Sequence, residues 1–367
     1  MFACRYTQIR KDLTKINIIV FTLIIFGLLF VYSASSVYAL TLHTDPHFFV
    51  KKQFFGLLLG FFAFGIIQGF AANFFKKHAY HFLLIAIILT SLTLFSSLVR
   101  HIHGSSRWLV LKGFTFQPSE LLKIMWILAA SRFFSQPTKM LTKEKIGMAL
   151  GTTGFISIIL LLQPDFGSTM TLWIMTLLLF FVSYGKWQSI LVCLSATIPF
   201  VGYLIIRYPY RLQRVLTFLN PWDDAKGNGF QIIQSLVAVG SGGLFGVGIA
   251  HSKQKLFYLP MQHTDFIFSI IAEETGFIGS ITVCILFIMF LYYGLKIAFQ
   301  INDPFYHFAV CGLTLLISLQ ATLNIAVCIS LLPTKGLGLP FISYGNSALL
   351  SNCILMGLIN CFAKQDT

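Results

Sequence analysis

A chain of 367 residues that is 56% hydrophobic and 10% charged, with 39 Phe, holds more apolar surface than a soluble globule can hide. That composition excludes a water-soluble enzyme and leaves a polytopic membrane protein. The formal net charge of +14 is scattered through loops between apolar runs, which points to anionic lipid head groups and away from nucleic acid.

The N-terminus carries Arg5, Arg10, Lys11 and Lys15, then an apolar run from Ile16 to about Ser36, long enough for a bilayer core of about 30 Å. A signal peptide would have a shorter apolar region followed by a cleavage motif, so this run reads as the first span. Further runs at about 50–71, 79–99, 117–134, 146–163, 168–185, 187–206, 266–295, 305–331 and 341–362 predict ten transmembrane helices. The expected architecture is an all-α bundle forming one domain over 1–367, with a long extracytoplasmic loop at about 207–264.

Counting Lys and Arg in short loops alone, the face shared with the N-terminus is the more basic. The positive-inside rule therefore places both termini in the cytoplasm. The seven cysteines, Cys4, Cys193, Cys284, Cys311, Cys328, Cys353 and Cys361, lie in or beside apolar segments without zinc spacing. They read as packing residues.

Between the third and fourth spans, Arg107 and Trp108 are adjacent. They form either a phosphate grip beside a stacking platform or an interfacial aromatic belt with a snorkelling Arg. Gln117-Pro118-Ser119-Glu120 opens the fourth span, and Glu120 with Lys123 is an i, i+3 pair on one helix face. Asp165, in Gln163-Pro164-Asp165, brings a second carboxylate to the outer face, where it could bind a cation, orient a hydroxyl or cap the next helix.

The long loop contains Phe218 to Asp224 and an amphipathic run from Phe230 to Val239, so it is expected to fold back on the membrane surface. Its Gly240–Gly248 stretch resembles a nucleotide-binding loop in outline. It lacks the preceding strand and the Walker lysine, which argues against that role.

Asp265 ends the loop, at the head of an apolar run, where carboxylates are rare without a task. His263 and Thr264 precede it and can cap the helix or hold the carboxylate by hydrogen bonds; Asp265 itself could equally be a first-turn acid on the helix dipole. Glu273 and Glu274 lie about 12 Å deeper at 1.5 Å per residue, out of reach of a close pair with Asp265. The last outer loop, Leu331 to Pro340, is rich in Gly and Pro, predicting re-entrant backbone, and sets Lys335 there as a point charge. One candidate base with several cations at head-group depth suits a lipid-linked anion carrying a sugar.

Several of these segments resemble the SEDS family (shape, elongation, division and sporulation). The resemblance rests on Ser33-Ala34-Ser35-Ser36, Ser106-Arg107-Trp108, Gln117-Pro118-Ser119-Glu120, Gln163-Pro164-Asp165, His263-Thr264-Asp265-Phe266 and Ser343-Tyr344-Gly345, in that order. Asn220-Pro221-Trp222, Gln254 to Pro260 and Leu332 to Gly336 are similar to its division branch more than to its elongation branch.

The resemblance implies a peptidoglycan glycosyltransferase that polymerises lipid II outside the bacterial cytoplasmic membrane. Its implied partners are a class B penicillin-binding transpeptidase and other divisome membrane proteins. The family's essential aspartate falls on Asp265, and its Arg-Trp motif on Arg107 and Trp108. Met261 stands where Glu is usual and Asn346 where Gly is usual; the first removes a charge four residues from Asp265. The expected roles are Asp265 as base, Arg107 and Lys335 on the diphosphate, and Trp108 as a platform. A divalent cation could assist, but no ligand set is legible. The alternative is a lipid II flippase, for which Glu273 and Glu274 would be the deeper polar groups.

Overall fold

The computed structural model describes residues 2–95, 99–102, 105–111, 114–136, 142–185, 209–334 and 336–365, with isolated positions between 191 and 207. Within lipid, a helix satisfies its own backbone N–H and C=O groups, so the long apolar runs fold as helices. These are α1 (Phe2–His43), α2 (Phe48–Gly69), α3 (Ala72–Phe95), α4 (Pro118–Ser135), α5 (Thr142–Leu162) and α6 (Phe166–Tyr184). On the C-terminal side, α7 (Pro209–Leu219) and α8 (Phe230–Ser241) are short helices of the long loop, and the long apolar helices are α9 (Ile267–Gln300), α10 (Pro304–Cys328) and α11 (Asn346–Gln365).

Among the described residues, eight helices are long and apolar enough to cross a membrane: α1, α2, α3, α5, α6, α9, α10 and α11. α4 matches a predicted span but carries Glu120, Lys123 and Arg132, and it is buried along most of its length. The predicted seventh span, 187–206, lies outside the described residues except for isolated positions. The third span ends earlier than its hydropathy indicates. Val99, at the end of that run, already belongs to an antiparallel sheet, β1 (Val99–Ile102), β2 (Ser105–Leu111) and β3 (Phe114–Phe116), which the apolar pattern does not reveal.

α10 is the hub, packing against α4, α6, α9 and α11. Gly312 permits the approach, because a Cβ there would lie 2.6 Å from Cγ2 of Ile127 on α4. α1 buries Ile9, Leu13, Ile16, Val20 and Leu23, a 4-3-4-3 seam that lies along α9. Two carboxylates fasten the end of the bundle near the N-terminus. Asp12 of α1 meets Lys296 of α9 at 3.0 Å. Asp303 caps α10 through Phe305 N at 2.8 Å and takes Lys76 of α3 at 2.6 Å; such a cap contributes about 1 kcal/mol.

α9 is broken at Gly276, where φ 67° and ψ −159° interrupt the helix. In an unbroken helix, Phe277 N and Ile278 N would donate to the carbonyls of Glu273 and Glu274. Here Val247 N and Gly248 N take those carbonyls, while Phe277 N and Ile278 N donate to Gly243 O and Leu244 O. All four orphaned groups are thus re-paired with the Gly-rich stretch. A Cβ at Gly242, Gly246 or Gly276 would collide with the backbone across this junction. Docking to the broken helix is what the Gly-rich run serves.

Candidate active site

The segment between this junction and Asp265 is held from below by the two deeper carboxylates. Glu273 accepts from the Ser252 hydroxyl, from Lys253 N at 2.9 Å and from Gln254 N at 3.4 Å. Glu274 accepts from Ser33 of α1 at 2.6 Å and pairs with the buried Lys255 at 3.0 Å. Gln262 then donates to Ala34 O at 3.0 Å and Lys255 O at 2.9 Å. These contacts lock the turn at 261–266 against α1.

That turn is also stitched to the last outer loop. Ser343 Oγ accepts from Leu339 N at 2.7 Å and donates to Thr264 O at 2.6 Å, while Tyr344 N donates to His263 O at 2.9 Å. Gln53 of α2 clasps the loop from outside, donating to Ser343 O at 3.1 Å and accepting from Gly345 N at 3.2 Å. From beneath, Asn324 of α10 donates to Asp265 O and to Leu337 O, each at 2.7 Å. An amide buried in an apolar span is costly unless its donors are used, and both of these are.

Asp265 therefore sits on a firmly braced backbone and is itself half-buried. Gly336 lies beside it, since a Cβ there would be 3.7 Å from Oδ2. Burial raises the Asp265 pKa to about 6 against the opposing charges of Arg214 and Arg107. No hydrogen-bond donor to this carboxylate is seen among the described residues. His263 is buried among Tyr38, Phe49 and Tyr344, with ring centroids 5.5, 4.7 and 5.7 Å away. Burial lowers its pKa to about 4, so the imidazole is neutral at pH 7. Thr264 Oγ1 donates to Met261 O at 3.2 Å, which makes Thr264 a brace of the turn and leaves it no bond to the carboxylate. Lys335 lies outside the described residues.

The remaining predicted residues form a neighbouring cluster. Arg107 Nε donates to Gln163 O at 3.2 Å, its Nη2 to Pro164 O, and its Nη1 lies 3.6 Å from Asp165. Asp165 caps α6 through Ser168 N at 3.1 Å and receives Ser119 Oγ at 3.2 Å and Gln117 Nε2 at 3.4 Å. Of the three roles left open for Asp165, helix capping is thus realised. Successive residues of a strand face opposite sides, so Trp108, paired with Arg100 across β1 and β2, projects away from Arg107. Lys123 and Glu120 form an ion pair at 2.7 Å, with the lysine buried. The cluster reaches the last outer loop through Gly167, which lies against Leu337.

Both unusual residues have a place. Met261 bears an exposed side chain, while its carbonyl accepts from Thr264 N at 3.1 Å and Phe266 N at 3.3 Å. Asn346 stands over Gly56 of α2, where a Cβ would fall 2.8 Å from Asn346 Oδ1; the missing side chain on one helix makes room for the extra one on the other.

Asn324, Ser343, Gln53 and Arg214 do not stand out as site residues in the sequence. A mid-span amide is a signal that could have found Asn324. Arg214 Nη1 donates to Thr334 O at 3.1 Å, tying α7 to the last outer loop. Next to it lies a cavity of about 300 Å³ lined in part by Gln213, Arg214, Thr217, Lys226, Pro260 and Thr334. Among the described residues, no group of three or more His, Cys, Asp or Glu is placed to hold a metal ion.

The family model for FtsW, RodA and SpoVE, described as cell cycle protein, matches residues 14–367. A relative named probable peptidoglycan glycosyltransferase FtsW, from Geobacter sp. (strain M18), is 38% identical over 336 residues, covering 91% of this chain and 92% of the relative. Stage V sporulation protein E of Bacillus subtilis (strain 168) is 36% identical over 345 residues, covering 93% and 94%. A chain from a solved peptidoglycan synthase complex, described for its structural coordination of polymerization and crosslinking, superposes with a TM-score of 0.78 at 26% identity, covering 96% and 97%. Thermus thermophilus RodA shares the fold, with a TM-score of 0.69 at 23% identity and 95% coverage of each chain. The chain belongs to the FtsW, RodA and SpoVE family of membrane-embedded cell cycle proteins.

Proposed function

We propose that this protein is a peptidoglycan glycosyltransferase of the division branch, polymerising lipid II on the outer face of the bacterial cytoplasmic membrane with both termini inside. The named activity of its FtsW relatives supports the reaction class. The observation that carries the catalytic assignment is Asp265, a carboxyl with its pKa raised to about 6 on a backbone held by Asn324 and Ser343. A base poised near neutrality is most effective at pH 7.

In the reaction, the 4-hydroxyl oxygen of the acceptor GlcNAc attacks the anomeric carbon of the donor MurNAc. The bond from that carbon to the diphosphate oxygen breaks, and the diphosphate leaves with the electron pair. Asp265 takes the hydroxyl proton. A diphosphate needs no proton to depart, so one carboxyl suffices with cations near the leaving group. Lys335 is assigned there, and Arg107 adds charge while fixing the turn at Asp165. Trp108 is assigned to the lipid or acceptor side. The likeness to a synthase complex that coordinates polymerization with crosslinking supports a penicillin-binding transpeptidase as partner.

The flippase alternative drew on Glu273 and Glu274 as deeper polar groups. Their bonds to Ser33, Ser252 and Lys255 give them a scaffolding role instead. Purified protein in detergent, given labelled lipid II, should produce glycan chains, and Asp265→Asn should not while remaining folded. Wild-type turnover by that variant would remove the base assignment.

A further inference from the structure

Arg107 directs Nε, Nη1 and Nη2 at the α5–α6 turn, so most of its donors are spent on protein. The leaving group nevertheless carries two phosphates that must be held through bond cleavage. Beside Arg214 lies a cavity whose side chains suit that task. Arg214 and Lys226 supply positive charge, and Gln213, Thr217 and Gln231 supply neutral hydrogen-bonding groups, while Asn228 gives its side-chain amide to Asp224 at 3.0 Å. No carboxylate is part of its lining among the described residues, and the one behind Asn228, Asp224, is held by Asn228 N at 2.8 Å. The N-terminus of α8 opens onto it at Phe230 and adds the positive end of a helix dipole. Its wall includes Pro260 and Thr334, from the two loops that meet at Asp265.

The setting fixes its depth. α7 presents Gln213, Arg214 and Thr217 to the cavity, while Leu212, Leu216 and Leu219 are exposed on another face, with Trp222 just beyond. A helix with that division rests in the head-group region with its apolar face in lipid. The cavity is then level with the phosphates of a lipid-linked substrate. At about 300 Å³, it matches the smallest ligand sites and suits a diphosphate with one sugar better than a glycan strand.

We propose that the Arg214–Lys226 cavity is a diphosphate subsite, holding the donor's diphosphate before transfer and the released polyprenyl diphosphate after it. The identity of the ester rests on the glycosyltransferase reading; the anion site itself does not. Lys226 is exposed and Arg214 is linked to Thr334, so Lys226→Glu is the variant that spares the fold and Arg214→Gln is the second.

The test is calorimetric titration of inorganic pyrophosphate into the detergent-purified full chain, with lipid II kinetics alongside. Pyrophosphate should bind wild type and Asp265→Asn alike and bind either cavity variant at least about tenfold more weakly, the scale of a charge-assisted contact. For lipid II, both variants should raise KM with a smaller effect on kcat. Equal pyrophosphate affinity and unchanged KM in folded Lys226→Glu and Arg214→Gln would overturn the subsite and leave the glycosyltransferase reading intact. Pyrophosphate binding that depends on both cations, in a protein that makes no glycan from lipid II, would preserve the site and remove that reading. Repeating the titration in nanodiscs with and without phosphatidylglycerol separates the sources: full displacement of pyrophosphate by that lipid would overturn the proposal in favour of a head-group site.

Discussion

The side-chain amide of Asn324 holds the carbonyls of Asp265 and Leu337 at 2.7 Å each, so one buried residue of α10 fixes both the turn carrying the carboxyl and the loop facing it. Asn324→Leu leaves two buried carbonyls without these donors. The variant should lose about 2–5 kcal/mol of stability and about tenfold or more in kcat, with KM for lipid II nearly unchanged. Thermal melts and single-turnover kinetics check this; wild-type kcat in Asn324→Leu would show that the bracket is dispensable.

The raised pKa of Asp265 predicts the pH profile. A base must be ionised to act, so kcat/KM should rise with pH through about 6 and level off above it. Arg214 favours the ionised form, so Arg214→Gln should move the inflection upward. An inflection near 4 in both proteins would contradict the assignment.

The same burial makes the ionised carboxyl a burden on the fold. Folded, Asp265 keeps its proton to about pH 6, against 3.8 for an ordinary Asp. The destabilisation is therefore absent below pH 3.8, grows between these values and is complete above 6. Asp265→Asn removes it and should be more stable than wild type at about pH 7.5 by on the order of 2 kcal/mol, the difference closing near pH 4. Calorimetry at the two pH values decides.

Gly276→Ala sets a Cβ against Gly246 N at a φ of 67°. It should cost several kcal/mol and lower the yield of folded protein. Gly240→Ala, with open space around the new methyl, is the matched control and should gain up to about 1 kcal/mol from helix propensity. Equal melting of the two variants would argue against the junction at the break.

Lys255→Met leaves the Glu274 carboxylate buried without its cation and should destabilise by about 3–5 kcal/mol, whereas Lys255→Met with Glu274→Leu should recover much of that loss. A double-mutant cycle read by denaturant melts measures the coupling. A coupling near zero would mean that Ser33 and Ser252 alone satisfy Glu274.

Asp265 stands out in the sequence as a rare carboxyl at the head of an apolar run, where a first-turn acid and a base look alike, and the helices are legible because lipid demands long apolar segments. The β1–β3 sheet is hidden because the third apolar run continues past the point where its backbone leaves the helix. Arg107 and Trp108 look like a joint grip when read as neighbours, and only the strand reveals that they face opposite ways. Glu273 and Glu274 cannot be assigned from spacing, since their partners, Ser33, Ser252 and Lys255, are brought together by the break at Gly276. Asn324 is hidden because its hydrogen bonds join segments separated in sequence.

The groups that brace Asp265 are drawn from Gln53 near the start of the chain to Ser343 near its end. During synthesis the carboxyl is therefore made after Gln53 but before Asn324 and Ser343, which close the bracket. The last outer loop must emerge from the ribosome before the bracket can close, so a chain truncated ahead of Ser343 would carry the aspartate on an unbraced turn.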